Sequence, residues 1–470
     1  MSLCCPPVIK LKLASLHPPA ISSFADDVSE IPWVLIEDRA YVADCRNNTT
    51  AYTYSKCGKQ IQATFVVARP PRVSYICIFC RCSVEEDREL REMIPLDPDV
   101  ITTDDNLVLL RIVIRPEEGV LDGADLYIYR PAGPGGPSLT RLERPPGDCI
   151  FGPYEVGLLS CSTDNDESSN LSFLRPHGRE SSYTVAALCN DVSDPGRGRF
   201  VLYLYSSKLE TWSTTTVTGG STAPAISKRR ESPKLRYIPF PSPCQETMDL
   251  MEDPRTCRDI AVDKGYFKYI EQQLLWKPCQ DFSGQYIKDR WMSAIWSRRV
   301  PAASSAIEDS WQIKCKVESF MMDSDNDLDF ELLPYLLQDN KIRALTFFNR
   351  LHIAQPTLSL HGDGHTICFM VKNSPSDDKS WVVVVDMMQN NLQGVAEFTT
   401  ERYPTAGFAY KHSTISKYLK RDSGAGTKGN FKRQRLLLHG SANKKQPSTF
   451  VPLDSKSEVA AEAGDEMMLG

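Results

Sequence analysis

Nowhere in this sequence do about 18 apolar residues run uninterrupted, the length a helix needs to cross a bilayer. The first residues, Met1-Ser2-Leu3-Cys4-Cys5-Pro6-Pro7, hold no cationic start leading into an apolar stretch, so no secretory signal is expected. Neither a Gly-x-Ser-x-Gly elbow nor a His-Glu-x-x-His helix motif occurs, which removes the simplest serine-hydrolase and zinc-protease readings. Cysteine is present but unpaired in pattern. Fifteen residues, an odd number scattered among apolar segments, are expected to be reduced thiols in place of a disulfide framework. The sequons at Asn47, Asn48 and Asn170 are accordingly expected to stay unglycosylated. These absences together lead to the expectation of a soluble intracellular protein, in nucleus or cytoplasm, with no membrane contact and no cofactor.

What the 470 residues do contain is a repeated strand pattern. An apolar strand, a loop, a second apolar strand, a tight polar turn and a third strand recur three times. The first copy covers 107–115, 125–129 and 138–142; the second 183–188, 200–206 and 212–217; the third 366–372, 381–387 and 392–398. Val201 to Ser207 and Val382 to Met388 match in position, and each is followed across a turn by a large side chain, Trp212 or Leu392. Repetition on this scale reports architecture, and antiparallel blades follow from it. Hydrophobic residues at 41% and charged residues at 24% are ordinary globular usage, and 32 prolines supply turns and edges.

Further strands are expected at Trp33-Val34-Leu35-Ile36, at Tyr41-Val42-Ala43, over 61–68 and over 73–79, with Pro70-Pro71 as the break. Beyond 234 the strand candidates are short: 235–240, 260–262, 267–270, 291–296 and 311–317. Two helices are expected, a short exposed one over 83–93 and a longer one over 330–348, where Leu332, Leu333, Leu336, Leu337, Ile342 and Leu345 recur near helical spacing. Five segments result: a leader over 1–30, a β-rich region over 31–217, a polar linker over 218–233, a second β-rich region over 234–420, and a disordered tail over 421–470.

Candidate sites are few. Asp323-Ser324-Asp325-Asn326-Asp327 starts like a calcium-binding EF-hand loop, but Leu328 stands where a glycine is needed and Pro334 where a bidentate glutamate is needed, so a solvated acidic loop is expected. His361, Asp363 and His365 would share one face of an extended strand and would suit a metal, whereas Gly362 and Gly364 favour a turn with two surface histidines. Cys77 and Cys80, with Cys82 nearby, contain one Cys-x-x-Cys pair and no second pair to complete a zinc site, so they are expected as small strand hydrophobes. Gly424-Ala425-Gly426-Thr427-Lys428-Gly429 lacks both the Ser or Thr and the preceding strand of a phosphate loop.

Charge is the most specific remaining signal. The overall value is −6, yet 411–445 holds ten Lys or Arg against Asp422 alone, a local net of +9 that leaves −15 for the rest. Lys420 and Arg421, then Lys432, Arg433 and Arg435, form two basic clusters spaced to occupy two acidic grooves of an import receptor. Nucleic-acid binding by this tail is a weaker expectation, because Phe431 is its only interleaved aromatic.

Several motifs in order resemble a family. Trp33-Val34-Leu35-Ile36, Ala40-Tyr41-Val42-Ala43-Asp44, Asn48-Thr49-Thr50-Ala51 and Pro70-Pro71-Arg72-Val73-Ser74-Tyr75 are similar to the N-terminal half of the grass proteins called domain of unknown function 1618. Leu235-Arg236-Tyr237-Ile238-Pro239, Cys257-Arg258-Asp259-Ile260, Pro356-Thr357-Leu358-Ser359-Leu360-His361, Leu392-Gln393-Gly394-Val395-Ala396-Glu397 and Ile415-Ser416-Lys417-Tyr418-Leu419 are similar to its later half. The resemblance spans 30–452. It implies a strand-rich organisation like a propeller, or like the β domains attached to F-box proteins, and it brings no catalytic residues. Between Val217 and Leu235 two strands usual in that family are missing, so an incomplete blade is expected there.

The expected fold is therefore mainly β, propeller-like or a multi-sheet repeat of antiparallel triplets, with few helices and a disordered basic tail. The expected role is that of a noncatalytic interaction protein with a protein partner. A nuclear regulator with an import tail, and a metal-dependent hydrolase using His361, Asp363 and His365, are the alternatives.

Overall fold

The computed structural model describes residues 11–20, 31–81, 93–114, 124–133, 135–147, 151–152, 155–161, 182–190, 199–218, 238–242, 256–278, 286–300, 310–318, 351–359, 364–403 and 409–419. All lie in the unit Met1–Arg421, and the second unit, Asp422–Gly470, is outside them. The described residues form twenty-two strands, with 3-10 turns at Leu13–Leu16 and Ile415–Tyr418. Five small sheets follow one another in a ring like a five-bladed β-propeller.

The first sheet contains β1 (Val34–Glu37), β2 (Tyr41–Val42), β3 (Ala51–Tyr54), β4 (Gln60–Val66) and β5 (Val73–Arg81). The second is β6 (Asp99–Asp104), β7 (Leu107–Ile112), β8 (Asp125–Arg130) and β9 (Ser138–Arg141). The third is β10 (Val156–Cys161), β11 (Ser182–Asn190), β12 (Arg199–Ser206) and β13 (Thr211–Thr218). The fourth is β14 (Arg258–Asp263), β15 (Tyr266–Pro278), β16 (Tyr286–Arg299) and β17 (Gln312–Glu318). The fifth is β18 (His352–Leu358), β19 (Thr366–Lys372), β20 (Lys379–Asp386) and β21 (Asn391–Thr399). The last strand, β22 (Tyr410–Ser413), returns to the first sheet and pairs antiparallel with β1, Val34 opposite Ser413 and Glu37 opposite Tyr410. That pairing joins the two ends of the ring. The first sheet is also the one with parallel pairings, β1 and β2 each running alongside β5.

Sheets two to five are antiparallel meanders of four consecutive strands. Their hairpins have the local chemistry such turns require. Lys264 (φ 50) and Gly265 (φ 79) form a two-residue turn between β14 and β15 with both centres left-handed, the geometry that matches strand twist. The turns after β12 and β20 each end on a left-handed residue, Glu210 (φ 52) and Asn390 (φ 55). In the second of these, Asp386 Oδ1 accepts hydrogen bonds from the amides of Met388 at 2.8 Å and Gln389 at 3.0 Å, an Asx-type lock.

The edge strands that meet between neighbouring blades are β6 against β10, β14 against β18, and β18 against β22. Alternation along the strands sends side chains into apolar layers between neighbouring sheets. Val34, Ile36, Ile61, Phe65, Val108, Tyr127 and Tyr129 fill the space between sheets one and two. Ile101, Leu107 and Leu109 meet Val185, Ala187 and Tyr205 between two and three. Ile270, Trp291 and Ile295 meet Phe369, Val371 and Val383 between four and five. Leu35 and Tyr410 meet Cys368, Met370 and Val382 where five returns to one. Among the described residues no apolar cluster joins sheets three and four.

All three strand triplets are found where the repeat placed them. Each blade gains a strand that sequence reading left unassigned: β6, β10 and β18. The expected incomplete blade is not observed among the described residues. Sheets three and four, on either side of 218–233, each carry four strands, because 156–161 contributes one to the third. The short strands expected after 234 are corrected in two ways. Residues 267–270 and 291–296 are parts of strands of 13 and 14 residues. Ile238, Pro239 and Phe240 are not strand; instead Phe240 stacks on Tyr269 with ring centroids 4.9 Å apart, and the Pro239 carbonyl accepts from Trp311 Nε1 at 2.8 Å. The helix expected over 330–348 lies outside the described residues, as does nearly all of the one expected over 83–93.

Candidate functional site

The densest polar arrangement sits where the chain closes. β1 ends at Glu37, 3% exposed, and the turn after β21 brings Arg402, fully buried, against it. Arg402 Nη1 reaches Glu37 Oε2 at 2.7 Å, Nη2 donates to the Ala40 carbonyl at 2.7 Å and the Arg39 carbonyl at 3.2 Å, and Nε donates to Ser15 Oγ at 3.1 Å. The guanidinium also lies 3.7 Å from the centre of the Tyr41 ring, a cation–π contact. Glu37 further accepts from Tyr403 at 3.0 Å and Tyr41 at 3.1 Å. Burial pushes the Glu37 carboxyl up to about 7 against the pull of Arg402 and the two phenols. Beside it, burial pushes Asp38 up to about 6 although Lys411 and Arg39 oppose this, and Asp38 Oδ1 has no hydrogen-bond partner among the described residues.

This cluster ties residues 15, 37–41 and 402–403 together and is enclosed. Its chemistry is that of a clasp holding the two ends of the ring, since the fully buried guanidinium already donates to Glu37, Arg39, Ala40 and Ser15.

Its titration has a sign. Asp38 and, at the start of the fourth sheet, Asp259 are both pushed from 3.8 up to about 6 by burial, and Glu37 from 4.5 to about 7. Between about pH 4 and 7 the folded chain therefore holds more protons on these groups than the unfolded chain, so stability falls as pH rises through that window. His412, pushed down from 6.5 to about 4 by burial, acts in the opposite direction between those values. Three carboxyls outweigh one imidazole, and the chain is expected to be more stable to denaturant at pH 5 than at pH 7. In Asp38→Asn the difference is expected to shrink by about 1.4 kcal/mol, one pKa unit's worth. An unchanged difference would remove Asp38 from the account.

A second polar group lies between sheets four and five. Cys315 Sγ is 3.7 Å from His365 Nδ1, and Lys268 pairs with Asp263 at 2.7 Å. Gly364 (φ 72) closes over Lys268, and any side chain at 364 would collide with that ammonium. A cysteine beside a histidine suggests a nucleophile, but burial and the Asp386 charge push the Cys315 thiol up to about 11, so it stays protonated at neutral pH. His365 is the described member of the trio His361, Asp363 and His365; the other two lie outside the described residues. No group of three or more His, Cys, Asp or Glu among the described residues is placed to hold a metal.

The third arrangement is open to solvent. A cleft of about 120 Å³ on the first sheet is lined by Arg46, Tyr52, Gln60, Gln62, Phe79 and Arg81. Strand register builds it: Tyr52 stands opposite Gln62, Gln62 opposite Phe79, and Gln60 opposite Arg81, so alternate residues of three strands project on one side. Asp44 holds Arg46 through two bonds of 2.8 and 2.7 Å and also accepts from Gln62 Nε2 at 3.1 Å. Tyr52 is 49% exposed and the neighbouring Tyr54 63%, an aromatic surface rimmed by arginine. Sequence reading missed it, because Ala51–Tyr54 is four residues long and shows a single alternation of Tyr52 and Tyr54.

Lys420, Arg421, Lys432, Arg433 and Arg435 lie outside the described residues, as do Asp323 to Asp327 and Cys82. Cys77 and Cys80 are both in β5 and join different apolar clusters, so they face opposite sides of the sheet. Residues 223–368 match the family model described as "Protein of unknown function (DUF1618)". No curated protein and no solved structure matches the chain.

Proposed function

For this DUF1618 domain-containing protein, we propose a noncatalytic role as a ring-shaped scaffold that binds a protein partner through the cleft on its first sheet. The observation that carries the reading is the composition of that cleft. Tyrosine and arginine are among the residues that dominate binding energy at protein interfaces and phenylalanine is enriched there, and here they stand on a paired sheet that needs no reordering to present them. The polar groups elsewhere support it, since the Arg402 clasp is enclosed and the Cys315 thiol is held protonated.

The alternative keeps the localisation expectation and makes the basic clusters the working part, delivering an intracellular regulator to the nucleus through an import receptor. Charge favours it: +9 over 411–445 is a concentrated signal in an otherwise acidic chain.

One experiment separates the two. The full chain, a form truncated after Leu419, and a Tyr52→Ala/Arg81→Glu form would be used to purify partners from grass tissue, the source the sequence resemblance implies. A partner kept by the truncated form and lost by the double variant, with the circular dichroism spectrum unchanged, supports the cleft. Partners lost with the tail and indifferent to Tyr52 and Arg81 would overturn it in favour of the import reading, which deletion of 420–435 should then confirm by loss of nuclear accumulation.

A further inference from the structure

Beside the cleft, on the same face of the sheet, two thiols meet. β2 runs parallel to β5 with Tyr41 opposite Cys77 and Val42 opposite Ile78, and the Ala43 amide continues the ladder to the Ile78 carbonyl at 3.1 Å. The chain then reverses within two residues, the Cys45 amide donating to the Ala43 carbonyl at 3.0 Å. The reversed turn is pinned from β4. Gln62 Nε2 and Thr64 Oγ1 both donate to the Cys45 carbonyl, at 2.7 and 2.6 Å, and Thr64 is itself opposite Cys77. Cys45 therefore packs against the small buried cluster of Tyr41, Tyr75 and Cys77.

The two sulfurs are unequal. Cys45 is partly exposed and Cys77 is fully buried. The neighbouring Cys77 thiol lowers the pKa of Cys45, against burial and the Asp44 charge, whereas the Cys45 sulfur and burial raise that of Cys77. An accessible thiol whose thiolate is stabilised, touching a buried one, is the arrangement of an attacking and a resolving cysteine.

We infer that Cys45 and Cys77 form a peroxide-responsive thiol pair that closes to a disulfide. The Cys45 thiolate attacks one oxygen of hydrogen peroxide, the O–O bond breaks, and hydroxide leaves and takes up a proton, so that Cys45 carries a sulfenic acid. Cys77 then attacks the Cys45 sulfur; the S–O bond breaks, and the departing hydroxide accepts the Cys77 proton as water. Two thiols and one peroxide give one disulfide and two waters, with both sulfurs oxidised by one electron each and the peroxide reduced by two. The bond would lock the turn that carries Arg46 onto β5, at the side of the cleft.

The test uses the full chain treated with hydrogen peroxide, alkylated under denaturing conditions and digested with trypsin. The expected product joins peptide 40–46, which contains Cys45, to peptide 73–81, with Cys80 alkylated. It should disappear on reduction and be lost in Cys45→Ser. In Cys77→Ala, Cys45 should instead be captured as sulfenic acid by dimedone. Cys57 is exposed and serves as the internal comparison, so the wild-type result holds even where a variant folds poorly. Cys45 recovered fully alkylated while Cys57 is oxidised, or Cys45 joined to another cysteine, would overturn the assignment.

Discussion

Arg402→Met is expected to lower the free energy of unfolding by about 3–5 kcal/mol, the cost of leaving a buried charge without its partner. Glu37 would keep its two phenolic donors, but its carboxyl, already pushed up to about 7 with Arg402 beside it, would either stay charged without a partner or take up a proton at a cost, and both outcomes destabilise the fold. The Ala40 carbonyl and Ser15 Oγ would lose their donor in the same step. Because Arg402 joins the first strand to the segment before the last, the loss should appear as opening of the ring ends, with hydrogen exchange rising first in β1 and β22. Glu37→Gln together with Arg402→Met should recover more than half of the loss, since no unpaired charge then stays inside. A chemical denaturation series measures both. A single variant within 0.5 kcal/mol of the parent, the range of an ordinary surface change, would show that the clasp does not hold the closure.

Trp291→Ala should cost a comparable amount, about 3–5 kcal/mol, through a cavity and lost burial. Trp291 is 1% exposed, its ring centroid lies 5.7 Å from that of Phe369, and it spans the layer between sheets four and five together with Ile270 and Ile295. Neighbouring side chains on β strands cannot collapse into such a gap without breaking ladder pairs on both sides. The control is Ile313→Ser on the same sheet, where the side chain is 58% exposed and the expected change is within about 0.5 kcal/mol. Similar losses for the two would mean that the fourth sheet is held by something other than this layer.

Cys45 shows where sequence reading of the candidate sites stopped. Cys77 and Cys80 drew notice for their spacing, which their opposite faces make irrelevant, while the partner of Cys77 is 32 positions away by sequence numbering. Only the reversal at Ala43 and the two hydrogen bonds onto the Cys45 carbonyl bring the sulfurs together. The cleft was equally hidden, because Arg46, Tyr52, Gln62 and Phe79 come from a turn and three strands. Arg402 passed unnoticed as one of 54 basic residues.

What the sequence by itself determined is local and periodic. Alternating apolar residues and turn chemistry recur at 107–142, 183–217 and 366–398, and each stretch became three adjacent strands of one sheet, since antiparallel hairpins are specified by their own residues. The tertiary structure decided the rest. β10 and β18 are strands because sheets three and five supply ladder partners, and Gln355 at φ 53 and the irregular register of β18 show that local preference alone would not have drawn it straight. The closure of β22 on β1, the burial of Arg402 against Glu37 and the meeting of Cys45 with Cys77 join residues far apart in the chain. Such pairings depend on which surfaces the whole ring brings into contact, information that no window of sequence contains.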